Sequence, residues 1–275
     1  MVHKFIDCFT FYNEIDLLKF RLKYLYDYVD YFILVESELT HAGNPKELYY
    51  QNNKHLFEPY NDKIIHIIAD LPTIEQASSA WTRENCQRNA IDLGIDKIKE
   101  ELKDTDLIYI SDLDEIPDRN TITSFKSMET QNDYVYNLKQ TLYYYNLNCR
   151  SKGYWIFPRM TNYYSYINKF NKTPQKIRDF NDDNFMITLE KGGWHFSYLG
   201  DVNFIKNKIT EFSHQEFNNE TYLNDEKIIH QIKTQRDLYF RCISVSEFEY
   251  VAFEDNDYLP ENYEELIKFS DLYKS

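Results

Sequence analysis

Three carboxylates fall within four residues, Asp112, Asp114 and Glu115, directly after the apolar run Leu107-Ile108-Tyr109-Ile110 and just before Pro117. Carboxylates packed this closely repel one another, so the cluster makes physical sense when a cation sits among them, which points to a divalent ion. An apolar strand that proline brings to an end would deliver the cluster to the strand's carboxyl edge, where α/β sheets bind their ligands. A second group with chemical promise is Arg83-Glu84 followed by Gln87-Arg88, near the start of a helical pattern. Guanidinium groups beside a helix N-terminus add bidentate donors for phosphate to a site that already favours anions. A third is Gly192-Gly193-Trp194-His195, whose paired glycines let the backbone bend sharply or approach a ligand closely.

Four chemistries use carboxylates in this way. An EF-hand loop counted from Asp112 needs glycine at its sixth position, where this chain has Pro117, so that reading fails. A haloacid-dehalogenase-like phosphatase also sets Asp-x-Asp after an apolar strand, with the first Asp as nucleophile, and Asp182-Asp183 could serve as its later metal pair; it stays open as an alternative. A non-catalytic carbohydrate-binding module is another. The fourth is a nucleotide-sugar-dependent glycosyltransferase, in which Mn2+ or Mg2+ on Asp-x-Asp neutralises the charge that builds on a departing diphosphate.

The elements that must position these groups are legible in part. Lys4 to Phe11 reads as a buried strand, and Ile15, Leu18, Leu22, Leu25 and Val29 recur at helical spacing after Asn13, which could cap the first turn. Tyr31 to Glu36 and Ile64 to Ile68 read as further strands, a helix is predicted over Ala80 to Leu102, and Leu107 to Ser111 is the strand that carries the acidic cluster. Strand, helix, strand begins a parallel sheet. Tyr134 to Leu138, Thr141 to Tyr145 and Asn184 to Leu189 are strand-like, Gly192-Gly193 suggests a sharply bent loop, and from Phe204 onward the pattern is mostly helical. The expected fold class is therefore α/β with a Rossmann-like, mixed but mainly parallel sheet flanked by helices, followed by a helical C-terminal part.

Composition narrows the function classes. A hydrophobic content of 43% and an aromatic content of 17% exclude a disordered chain, and a net charge of -14 argues against nucleic-acid and anionic-membrane partners. Cys8, Cys86, Cys149 and Cys242 form no CxxC pair, so reduced thiols are expected, and with them a cytoplasmic or otherwise soluble protein in a reducing compartment. No apolar run is long enough to span a membrane, and no linker composition divides the chain, so 1–275 reads as a single domain.

Taken in order, Phe11-Tyr12-Asn13-Glu14, Val35-Glu36-Ser37 with Thr40-His41 and Gly43, Arg83-Glu84 with Gln87-Arg88, Ser111-Asp112-Leu113-Asp114-Glu115-Ile116-Pro117, and Gly193-Trp194-His195-Phe196-Ser197 resemble glycosyltransferase family 17. The resemblance implies a GT-A fold, with a nucleotide-binding half over about 1–118, an acceptor and metal half over about 119–203 and a helical part over about 204–275. It also implies an inverting, metal-dependent transfer to a glycan or glycoprotein acceptor, with UDP-GlcNAc as donor; UDP-glucose and GDP-sugars are the alternatives. Asp114 would then ligate Mn2+ or Mg2+, helped by His195, and Asp112 would hold the ribose or a metal-bound water. Phe11, Tyr12, Asn13 and Glu36 would line the nucleoside, and Arg83 and Arg88 would meet the diphosphate. Trp194, His195, Tyr198, His214 and Glu216 are expected near the sugar or acceptor. Inversion needs a base to take the acceptor's proton; Glu115 is the first candidate, with Asp201 and Glu216 behind it.

Overall fold

The computed structural model describes residues 3–77, 79–241 and 243–268. Its ten strands in chain order are β1 (Phe5–Thr10), β2 (Tyr31–Ser37), β3 (Ile64–Ala69), β4 (Leu107–Asp112), β5 (Glu115–Pro117), β6 (Val135–Tyr144), β7 (Cys149–Trp155), β8 (Arg159–Asn162), β9 (Met186–Ser197) and β10 (Phe248–Tyr250). They form one sheet in the order β10-β7-β6-β8-β4-β1-β2-β3, with β9 pairing β6 and β5 off that path. The first half is the expected parallel array, β1 running alongside β2 and β4, and β2 alongside β3. The second half corrects the expectation of a mainly parallel sheet: β8 pairs antiparallel with β4 and β6, β7 with β6 and β10, and β5 with β9, while β6 and β9 alone there run parallel.

Strands β1, β2 and β4 are buried on both faces, as strands covered by helices on each side must be, while the edge strand β3 is half-buried. Phe5 and Phe9 of β1 pack with Leu34, Leu107 and Tyr109 against the helix Ile15–Leu25. The alternate residues Ile6 and Cys8 pack with Ile33, Val35, Ile108 and Ile110 against Ile91, Ile95 and Ile98. The helix predicted from Ala80 to Leu102 is broken into Ala80–Asn89, Ile91–Asp96 and a 3-10 turn, Lys99–Glu101. Breaking it still keeps Ile91, Ile95 and Ile98 in the core, and Gly94 lies so near β2 that a Cβ there would meet Ile33 Cγ2 at 2.5 Å. A third core joins Leu142, Tyr144 and Cys149 to the C-terminal helices Val202–Glu211 and Asp225–Thr234 through Ile205, Ile209, Ile228 and Ile232.

Two strand predictions merge. Tyr134–Leu138 and Thr141–Tyr145 fall, but for their outer residues Tyr134 and Tyr145, in the single strand β6, and the glycine pair is no loop but the interior of β9. The register between β6 and β9 shifts between Leu138 and Gln140, and Gly193 adopts φ +128 at that irregularity. A Cβ on Gly193 would sit 2.1 Å from the carbonyl oxygen of Ile116, so glycine is what lets β9 cross the acidic turn. Asn13 does not cap its helix; Glu14 holds the cap position without a side-chain bond. Cys8, Cys86 and Cys149 are free thiols, while Cys242 lies outside the described residues.

Candidate functional site

Off the carboxyl ends of β1, β2 and β4 opens a cavity of about 870 Å3. Residues from all along the chain line it: Thr10, Phe11 and Tyr12 after β1, His41 and Lys46 after β2, Glu84, Gln87 and Arg88 on the broken helix, Asp112 and Asp114 after β4, and His195, Tyr198 and Lys208 from the second half. Trp81, Ile156 and Phe157, each 43% to 48% exposed, form an apolar rim.

The acidic turn is built from below by Arg21, a fully buried residue in the middle of the helix Ile15–Leu25. Its guanidinium pairs with Asp7 and donates to Ser111 Oγ at 2.8 Å and to the backbone carbonyls of Asp112 (2.9 Å), Leu113 (2.9 Å) and Glu115 (3.1 Å). A turn whose carbonyls converge on one cation cannot relax without stranding them. Nothing was expected of Arg21, although a charged residue inside the stripe Leu18, Leu22 and Leu25 was a visible anomaly.

The cluster's own side chains are satisfied by cations. Asp112 Oδ1 accepts from Arg88 at 2.9 Å and from the Thr10 hydroxyl at 3.2 Å, while Oδ2 accepts from Arg178 at 3.1 Å. Asp114 Oδ2 accepts from Lys208 Nζ at 2.8 Å, and Oδ1 faces His195 Nε2 at 3.5 Å. Burial alone would raise both carboxyls, but Arg88 and Arg178 at Asp112, and Lys208 and His195 at Asp114, outweigh it and hold both well below the usual carboxylate range. Arg178 and Lys208 escaped the sequence reading. Lys208 sits one turn from Ile205 and beside Ile209 on an apolar face, which is a signal; Arg178, at the end of Pro174–Arg178, gave none.

Several expected positions need correcting. Glu115 does not face the cavity: it is fully buried and accepts from both Arg178 nitrogens (2.7 and 2.6 Å), from Trp155 Nε1 (2.5 Å) and from the Asp112 amide (2.8 Å). With four donors on it, this carboxylate braces the turn and offers no lone pair to an acceptor. Glu36 is likewise buried and spent on the amides of Tyr50 and Gln51 and on His66 Nε2. Arg83 clamps the loop after β2 through the carbonyls of His41 (2.6 Å) and Ala42 (3.2 Å). Trp194 is buried, donating to the Tyr258 carbonyl at 3.1 Å, and Asn13 meets Asn207. Glu216 holds His214 at 2.6 Å on the surface, and Asp201 caps the helix Val202–Glu211. Of the expected residues, the structure thus gathers Phe11, Tyr12, Arg88, Asp112, Asp114, His195, Tyr198 and His214 at the cavity, and leaves Asn13, Glu36, Arg83, Glu115, Trp194 and Glu216 off its wall.

The wall under β2 was not foreseen as a unit. Gln87 Nε2 donates to the carbonyls of Phe11 (3.2 Å) and Val35 (2.9 Å), which turns its Oε1 toward His41 Nε2 at 2.7 Å. His41 Nε2 therefore carries a proton, and Nδ1 lies 3.1 Å from Ser213 Oγ. The same hydroxyl donates to Glu84, whose other oxygen pairs with Arg88 at 2.8 Å. Burial lowers the His41 pKa against the opposing pull of the Glu84 carboxylate.

The donor set does not suit a divalent ion as it stands. Every oxygen of Asp112 and Asp114 already faces a nitrogen or hydroxyl donor, and the one on Asp114 Oδ2 is a full ammonium charge. His195 Nδ1 is buried without a partner, yet no group of three His, Cys, Asp or Glu side chains among the described residues is placed to hold a metal.

Fold and site together define an α/β protein whose charged, aromatic-rimmed cavity occupies the ligand position of its parallel strands. The chain belongs to glycosyltransferase family 17, which it matches over residues 1–252. It is 25% identical over 142 residues to beta-1,4-mannosyl-glycoprotein 4-beta-N-acetylglucosaminyltransferase of Rattus norvegicus, a match covering 50% of this chain and 26% of that protein. The Homo sapiens protein of the same description is 26% identical over 135 residues, covering 48% and 25%. The match thus spans about a quarter of the length of these curated relatives. A solved structure of the apo-form glycosyltransferase GlyE from Streptococcus pneumoniae aligns with 98% of this chain and 60% of its own at a TM-score of 0.34 and 8% identity. No helix among the described residues is long and apolar enough to cross a membrane.

Proposed function

We propose that this chain transfers a sugar, GlcNAc from UDP-GlcNAc, to a hydroxyl of a glycan acceptor with inversion at the anomeric carbon, on a GT-A-type architecture. The observation that carries the reading is the convergence of three buried cations, Arg88, Arg178 and Lys208, on Asp112 and Asp114 inside the cavity of a family 17 chain. A diphosphate leaving group gathers negative charge as its bond to the sugar breaks, and fixed cations in a water-poor pocket stabilise that charge without reorganising. Phe11, Tyr12 and the His41–Gln87 pair supply apolar and polar walls suited to a nucleoside. The apolar rim at Trp81 and Phe157 suits the face of an acceptor sugar.

In the reaction the acceptor oxygen attacks the anomeric carbon, the bond to the diphosphate breaks, and the proton passes to a base on the wall. Glu115 stands off the cavity wall, and we look for the base among the carboxylates and imidazoles that line it, from Glu14 to His214. A phosphatase reading has lost its second half, because Asp182 and Asp183 are absent from this wall. The test is nucleotide release from UDP-GlcNAc, UDP-glucose and GDP-mannose with and without a mannose-terminated glycan, with the product's anomeric configuration read by NMR. Acceptor-stimulated UDP release from UDP-GlcNAc is expected. Binding of UDP without turnover of any donor would instead make the chain a non-catalytic binding module, and binding of neither UDP nor GDP would end the nucleotide-sugar reading.

A further inference from the structure

We infer that Lys208 supplies the positive charge that meets the donor diphosphate at Asp114, so that this chain binds its nucleotide without a divalent ion. The inference rests on the nucleotide-sugar reading above. It starts from the placement of one ammonium group. Lys208 projects from the helix Val202–Glu211 into the cavity, its side chain 10% exposed, with Nζ 2.8 Å from Asp114 Oδ2 and 3.9 Å from Glu14 Oε1. The rings of Phe212 and Tyr198 flank it at 4.9 and 5.4 Å.

Three features separate this arrangement from a metal site awaiting its ion. An ammonium has three N–H donors and no acceptor, so one donor can stay on Asp114 while another turns to a phosphate oxygen. The helix is fixed at its start by Asp201, whose carboxylate takes the Phe204 amide at 2.8 Å, and along its length by Ile205 and Ile209 in the core, so the backbone from which Lys208 reaches is held by packed structure. A divalent ion on Asp114 would have to displace Nζ and then sit beside it, two like charges held close together in a buried site. Asp112 gives such an ion no second foothold, because Arg88 and Arg178 hold both of its oxygens. The same two guanidinium groups complete a set of three cations in one cavity, the donor type that matches phosphate oxygens.

The experiment is calorimetric titration of the whole chain with UDP, in EDTA and again in excess Mn2+ or Mg2+. The wild-type Kd is expected to agree within about twofold between the two conditions, and Lys208→Met to weaken UDP by about tenfold or more in EDTA, the loss of one charge-assisted contact. Lys208→Arg, which keeps the charge, is expected to recover part of that loss, and a thermal melt of each variant shows that the fold is retained. UDP binding that needs Mn2+, or that Mn2+ tightens more than about tenfold in the wild type, overturns the inference while leaving the nucleotide-sugar reading intact. The wild-type titrations decide this even if Lys208→Met does not fold. Absence of UDP binding in both conditions overturns the inference together with the choice of a UDP-sugar donor.

Discussion

Replacing Arg21 by leucine removes the buried cation on which three backbone carbonyls of the acidic turn converge. In the folded chain the guanidinium is fully buried, as is its partner Asp7. Breaking such a pair from one side leaves an uncompensated charge in the core, which costs about 3–5 kcal/mol, and the carbonyls of Asp112, Leu113 and Glu115 lose their common donor as well. Against a total stability on the order of 5–15 kcal/mol, and at roughly 2–4 °C per kcal/mol for a domain of this size, Arg21→Leu should melt about 6–20 °C below the wild type. Burial pushes the Asp7 carboxyl up and Arg21 pulls it back down, so in the variant burial acts unopposed. A carboxyl raised in the folded state binds more protons there than in the unfolded chain, so folding gains stability as the pH falls through its raised pKa. The deficit of Arg21→Leu should therefore shrink in acid, and Asp7→Leu combined with Arg21→Leu should be more stable than the sum of the single changes by about 1 kcal/mol or more. Thermal melts by circular dichroism across pH read all three. A single variant within about 2 °C of the wild type, or strictly additive single and double variants, would refute the reasoning.

Gly193→Ala should be poorly folded, because its Cβ would overlap the Ile116 carbonyl and its φ of +128 lies where L residues are strained; a soluble variant with an unchanged melt would show that β9 can shift to make room. Lys46, which lines the cavity over the rings of Tyr12 and Tyr49, has its amine lowered to about 8 by burial. Its acylation, followed residue by residue with mass spectrometry, should therefore rise to half its maximum near pH 8, while surface lysines follow their ordinary pKa of about 10.4. The sign for stability is fixed too: a base lowered in the folded state penalises folding while it is charged, so this group's contribution improves as pH rises above its folded pKa. A Lys46 labelling curve that overlays those of the surface lysines would remove the claim.

Much of the frame was written locally. Continuous apolar runs and a 3.6-residue apolar pattern place β1 to β4 and the helix Ile15–Leu25, because such patterns are properties of a short stretch of chain and need no partner to be recognised. The motif order that marks family 17 is likewise linear, and it leads to Asp112, Asp114 and Arg88 at the cavity. The antiparallel half was less legible: β7 and β8 are short and polar, and strand direction depends on which neighbour a strand meets, something no local window contains.

Sequence by itself determined that three carboxylates end a buried strand; tertiary structure decided what each is for. Glu115 became a brace because β7 brings Trp155 and a later helix brings Arg178 onto it, partners 40 and 63 residues away. Asp114 became the seat of an ammonium because the C-terminal helix, 94 residues on, is packed by isoleucines that fix where Lys208 reaches. Such pairings carry no local signal, since the distance between two charges in the fold is set by how helices and strands pack and not by their separation along the chain.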